Sequence, residues 1–120
     1  RYLNRMTAFV SLEALASMVQ DEAKIELPAD YAGVAMAATW PLIEAGPRGL
    51  HVVCVPTGGL QVDLLVGAGL VETLETSAVT LGEAGAGPCF ARAAREGAIR
   101  ILDATCPAIH ARLQAAEKGV

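Results

Sequence analysis

Leu50-His51-Val52-Val53-Cys54-Val55-Pro56-Thr57-Gly58-Gly59 is the stretch on which the fold turns. Leu50 to Val55 is an apolar, β-branched run bounded by Gly49 and Pro56, with almost no polar alternation. That pattern reads as a strand covered on both faces, the usual state of a strand in a parallel sheet. Thr57-Gly58-Gly59 then turns the chain. Val62 to Val66 reads as a short helix that stops at Gly67 and Gly69.

The same alternation extends in both directions. Upstream, Ser11 is placed to N-cap a helix whose apolar positions Leu12, Leu15, Ala16 and Val19 recur at helical spacing. Ala23 to Leu27 reads as a strand ended by Pro28. Ala35 to Ala45 reads as a helix closed by Gly46 and Pro47, with Pro41 inside it as a kink or an earlier stop. Downstream, Val71 to Val79 holds at least one strand. Pro88 to Glu96 reads as a helix stopped by Gly97, Ile99 to Leu102 as a strand, and Pro107 to Glu117 as the last helix. The alternation gives roughly four or five strands, each followed by a helix, which implies parallel βαβ crossovers. The expected fold class is α/β, an open, mainly parallel sheet with helices on both faces. Such sheets bind ligands at the carboxyl ends of their strands. The loops to watch are therefore 28–33, 56–60, 81–88 and 103–107.

Composition sets limits. The chain has 120 residues, 53% hydrophobic and only 4% aromatic, which suits one domain (1–120) with an aliphatic core. Its net charge of -4 and lack of a basic cluster argue against nucleic acid as a partner. No apolar stretch reaches the length needed to span a bilayer, so no membrane partner is expected. The 3 cysteines, Cys54, Cys89 and Cys106, have no metal-like spacing and read as reduced thiols, pointing to the cytoplasm and to no metal site. With few charges for so small a domain, the surface is expected to be sticky and to meet a partner or further chain.

The segment from Gly58 to Val71, Gly58-Gly59-Leu60-Gln61-Val62-Asp63-Leu64-Leu65-Val66-Gly67-Ala68-Gly69-Leu70-Val71, resembles the GG-x-x-x-DLL-x-GAG-x-V segment of the alpha subunits of family I coenzyme A transferases, the group that includes glutaconate CoA-transferase. Glu83, Gly87, Pro88, Phe90, Arg92, Arg95, Glu96 and Gly97 resemble the family's next segment. The likeness runs from about Leu12 to Val120. It implies a CoA transferase-like fold and a site shared with a beta-type subunit. That subunit carries a Glu nucleophile that passes through acyl-anhydride and glutamyl-CoA intermediates. The substrates implied are an acyl-CoA thioester and a carboxylic acid, with no permanently bound cofactor. Family members are longer, so this sequence reads as part of a longer alpha subunit. Cys106 stands where many relatives place a Glu, and Leu27 to Gly33 stands where they have a Gly-rich loop after the first strand.

Each candidate site residue has a plainer reading beside it. Cys106 precedes Pro107 and would be the N-cap of the last helix, where a thiol is activated; His110 follows on the same face. The plain alternative is a packing thiol and a solvated His. Glu83, in a Gly-rich loop, is a candidate substrate contact or base, or else a solvated loop carboxylate. Tyr31, Gly33, Gly58 and Gly59 are candidate substrate or CoA contacts; tight turns also need glycine, and aromatic rings more often serve packing. Asp63 reads as a first-turn carboxylate that complements its own helix dipole. Arg92 and Arg95 read as a solvated face, and His51 as a satisfied polar residue.

Three functions compete. The first is a CoA transferase alpha chain. The second is an acyl-CoA hydrolase of the ring-opening type in the same family, for which the altered rim loop and Cys106 speak. The third is a non-catalytic ligand-sensing α/β domain, since related folds serve transcriptional regulators.

Overall fold

The computed structural model describes residues 8–120. Four strands form one sheet in the order β1 (Lys24–Pro28), β2 (Leu50–Val55), β3 (Val71–Thr76) and β4 (Arg100–Asp103), every pair parallel. Five α-helices accompany them: α1 (Leu12–Ala16), α2 (Thr39–Ala45), α3 (Leu60–Gly67), α4 (Pro88–Glu96) and α5 (Cys106–Lys118). The open, mainly parallel sheet expected from the sequence is therefore what the chain adopts.

Strand order follows chain order, and parallel crossovers are right-handed. Together these put the connecting helices α2, α3 and α4 on one face. There α2 packs on α1 and α3, and α3 on α4. Among the described residues, the opposite face receives only α5, which comes after the last strand. Side chains alternate along each strand, so the two faces differ sharply. Leu50, Val52 and Cys54 of β2 and Leu74 of β3, all at 0% exposure, point at the helices with Val62 and Leu65 of α3. Burying each such Leu or Val is worth roughly 1.5–3 kcal/mol. On the other face Val53 meets Ala104, Ile109 and Leu113, a much smaller apolar contact.

Three sequence expectations shift by a few residues. Pro28 closes β1 as its last residue instead of lying beyond it. Helix α1 stops at Ala16, although Val19 still packs on the core. Helix α2 starts at Thr39, preceded by a separate 3-10 turn over Met36–Ala38. Proline sets that start. Pro41 has no N–H to give, and it costs least within the first turn, where N–H groups lack intrahelical partners. The helix is therefore delayed, with no kink inside it.

The surface is apolar in places, as the composition suggested. Phe9 (99%), Met18 (64%), Tyr31 (85%) and Trp40 (61%) are all exposed. Among the described residues, no helix is long and apolar enough to cross a membrane, and no group of His, Cys, Asp and Glu side chains is close enough to hold a metal ion.

Candidate functional site

The loops that leave the carboxyl ends of β1, β2 and β3 meet in one rim. Two carboxylates build it. Asp30, just past β1, accepts the Leu60 N–H with both oxygens at 3.0 Å. It thereby caps α3 from a distance, because the helix's own N-cap is Gly59, which has no side chain. Gly59 has to be glycine: a Cβ there would overlap the Asp30 carboxylate. The arrangement repeats one helix later. Asp63 accepts from Phe90 N–H at 2.8 Å and Cys89 N–H at 3.3 Å, so it caps α4, whose N-cap is Gly87. A Cβ on Gly87 would again run into the carboxylate. Asp63 is only 3% exposed. The sequence reading placed it in the first turn of its own helix, where it does lie; its hydrogen bonds go to the start of the next helix.

A cleft of about 240 Å³ opens on this rim, lined by Ala29, Asp30, Tyr31, Thr57, Gly58, Thr80, Leu81 and Gly82. Of the four residues taken as candidate substrate contacts, it brings together Tyr31 and Gly58. Gly59 lies behind it against Asp30. Gly33 ends the 3-10 turn after β1 in a left-handed conformation and is not part of the lining. Gly58 is pinned by the fold: its N–H donates to Ala78 O at 2.8 Å, its carbonyl accepts from Thr80 N–H at 3.0 Å, and a Cβ would press on Cys54 and Val62. That N–H is not free to hold a substrate oxyanion. Thr80 ties down the loop beyond, accepting from Gly82 N–H at 3.2 Å. Glu83 follows in the 3-10 turn Gly82–Ala84; it is exposed and is not part of the cleft lining, which ends at Gly82.

Cys106 sits on the neighbouring part of the rim. It is the first residue of α5, and the N-cap is Thr105, whose side chain accepts the Ala108 N–H. The expected N-cap assignment to Cys106 is thus off by one residue. The hydroxyl of Thr105 is the stronger acceptor and takes the cap. The Cys106 thiol lies 3.4 Å from Ser77 Oγ, which donates to Pro56 O at 3.0 Å. Ser77 therefore links Cys106 to the β2 loop that carries Thr57. His110 is exposed, and no hydrogen bond joins it to Cys106 among the described residues. Burial pushes the Cys54 thiol up to about 11, only partly offset by a hydrogen bond with Thr76. Cys89 is also raised, first by burial and then by the Asp63 carboxylate. Arg92 and Arg95 are exposed on α4, the solvated face expected.

Sequence reasoning overlooked Asp30, Thr57, Ser77 and Thr80. Asp30 left one usable signal, an acidic residue in a rim loop facing a helix that begins with two glycines. The hydroxyl residues left none, since their contacts join separate loops.

No family model matches this sequence, and neither does any curated protein sequence. Among solved structures, the chain is similar to the decarboxylase AibA/AibB, in a variant with a cysteine replaced by serine, with 25% sequence identity and a TM-score of 0.79. The match covers 92% of this chain and 44% of that one. This chain therefore spans less than half the length of that enzyme's chain. The open parallel α/β sheet, of the CoA transferase-like type, is common to both.

Proposed function

We propose that this chain is the alpha-type part of an enzyme related to family I CoA transferases, handling a CoA thioester in a pocket that a beta-type subunit completes. One observation carries the reading. The rim cleft presents Tyr31, Thr57, Gly58 and Thr80, yet none of its lining residues is a free carboxylate. Asp30 is occupied by the Leu60 N–H. Transfer of CoA needs a carboxylate that attacks the thioester carbonyl carbon. The C–S bond breaks, an acyl anhydride forms and the CoA thiolate leaves; the thiolate then attacks the glutamyl carbonyl of the anhydride, whose C–O bond breaks to release the acyl group as a carboxylate and leave the glutamyl thioester. This cleft must receive that carboxylate from elsewhere, which is the part the beta-type subunit's Glu plays in the resemblance.

The cleft's character also narrows what it takes. No lysine or arginine lines it, so it suits the neutral acyl and pantetheine portions of the thioester better than the nucleotide phosphates. Glu83, next in sequence to the lining residue Gly82, and Cys106, joined through Ser77 to the loop of Thr57, are the residues we assign to contact the bound thioester, with the attacking carboxylate coming from the partner. The likeness to a two-component decarboxylase supports a subunit-built enzyme of this fold. It also favours one second reading, loss of carbon dioxide from an acyl-CoA in place of CoA exchange.

The test uses the complex of this chain with its partner subunit. Acyl-CoA is supplied with a labelled acceptor acid, and borohydride is added to reduce any enzyme thioester. Label appearing in new acyl-CoA, together with a reduced Glu in the partner, establishes transfer. Carbon dioxide release without exchange supports the second reading. Release of CoA to water alone identifies a hydrolase. A complex that leaves every thioester untouched refutes the proposal.

A further inference from the structure

The face of the sheet under α5 holds a charged group that none of this chemistry uses. Glu75, on β3, has a side chain only 5% exposed. Arg112 of α5 forms an ion pair with it. His51 of β2 lies 3.3 Å away and Lys24 of β1 3.9 Å. A carboxylate this deep has to be compensated by partners it can reach, or it destabilises the fold. Two of its partners belong to the sheet, and the third belongs to the helix.

Helix α5 has little else to hold it. Its apolar seat is Ile109 with Leu113 half-buried, set against Val53 and Ala104. Strand β3 and its end touch the helix at two points. Ser77 meets Cys106 at the start, and Glu75 meets Arg112 further along. Six residues of helix advance about 9 Å, so the two contacts fix both the height and the tilt of α5 on the sheet. The Arg112 end lies away from the rim; the Cys106 end lies on it.

We propose that Glu75 is a positioning residue: through Arg112 it seats α5, and so it determines where the Cys106 thiol stands at the rim. The inference concerns geometry and holds whichever reaction the rim performs. The two partners should not be equivalent. Losing Arg112 leaves Glu75 with Lys24 and His51, so the sheet stays compensated and only the helix loosens. Losing the Glu75 charge leaves Lys24 and Arg112 on this face with Glu26, at the edge strand, as the remaining carboxylate of the hollow; Arg112 then has no anion on β3 to seat it, and the helix loosens.

Thiol alkylation resolved by peptide mass spectrometry tests this on the full chain. Cys54 and Cys89 serve as internal controls. Arg112→Gln should raise the Cys106 rate about threefold to tenfold, and Glu75→Gln should raise it more. The double variant should add little to Glu75→Gln, as expected of residues acting through one contact, and Arg112→Lys should restore much of the native rate. Amide exchange in α5 should quicken in parallel, while α3 and α4 stay protected. Unchanged Cys106 rates in both single variants would overturn the proposal. So would a parallel rise at Cys54, because that signals general loosening. If Glu75→Gln fails to fold, the Arg112 pair decides the matter alone.

Discussion

The two faces of this sheet solve the same problem by opposite means. Toward α1, α2, α3 and α4 the sheet offers aliphatic side chains, and packing alone joins strand to helix. Toward α5 it offers a small apolar patch around Val53 and a compensated charge at Glu75. The first arrangement is non-directional and tolerates small shifts. The second fixes one geometry, because an ion pair with a buried carboxylate has few acceptable positions. The difference suits what each side carries. The apolar face stabilises the domain; the charged face sets the helix that brings Cys106 to the rim.

Replacing a residue of the apolar face should do the most damage. Leu74→Ala removes a fully buried side chain and should cost about 2–5 kcal/mol in a denaturant titration. A loss below about 1 kcal/mol would mean that this face is not the main source of stability. Asp63→Ala comes next. It strips the cap from α4 and should cost about 1–2 kcal/mol, with faster amide exchange in that helix first. Asp30→Ala should do the same for α3 and also open the rim cleft. A smaller effect is kinetic: at pH 8 Cys54, held near 11, should alkylate more slowly than either other thiol, and a fast Cys54 would contradict the packing described for the apolar face.

The gentlest probe is pH. His51 is held below its ordinary 6.5, first by burial and then by Lys24 and Arg100. Its contact with Glu75 does not reverse this, because Arg112 already answers that carboxylate. The unfolded chain therefore takes up the proton first as pH falls. The contribution of neutral His51 is full above about 6.5 and declines as pH drops through the lowered folded value. Unfolding midpoints between pH 7.5 and 5 should show a shallow decline that His51→Asn flattens. An equal slope in the variant would remove His51 from the charged face's account.

Much of this was readable in the sequence, and the limits have physical causes. β2 and the Gly58-Gly59 turn stood out because a buried parallel strand leaves a local, continuous signature. The rim as the place for a site followed from topology. Helix α2 began late because Pro41 decides where a first turn can lie, a constraint sharper than apolar spacing. The capping roles of Asp30 and Asp63 join residues separated by 30 and 27 positions, which no local pattern encodes. Glu75 was overlooked inside a mixed segment, although an acidic residue amid strand-forming neighbours is itself a sign of a buried pair. The GG-x-x-x-DLL-x-GAG-x-V stretch is instructive here. Its Gly59 and Asp63 are needed for helix capping, so what marks the resemblance is largely scaffold.

The proposal that the rim cleft takes a thioester is tested most directly by filling the cleft. Thr57→Trp places bulk in the cleft without touching the core residues Cys54 or Val62. Acyl-CoA turnover should be measured for the assembled complex carrying this change, beside its melting temperature. The expected result is an intact, assembled protein whose turnover falls at least a hundredfold. Native turnover in a variant shown to have its cleft occupied would place the chemistry somewhere else.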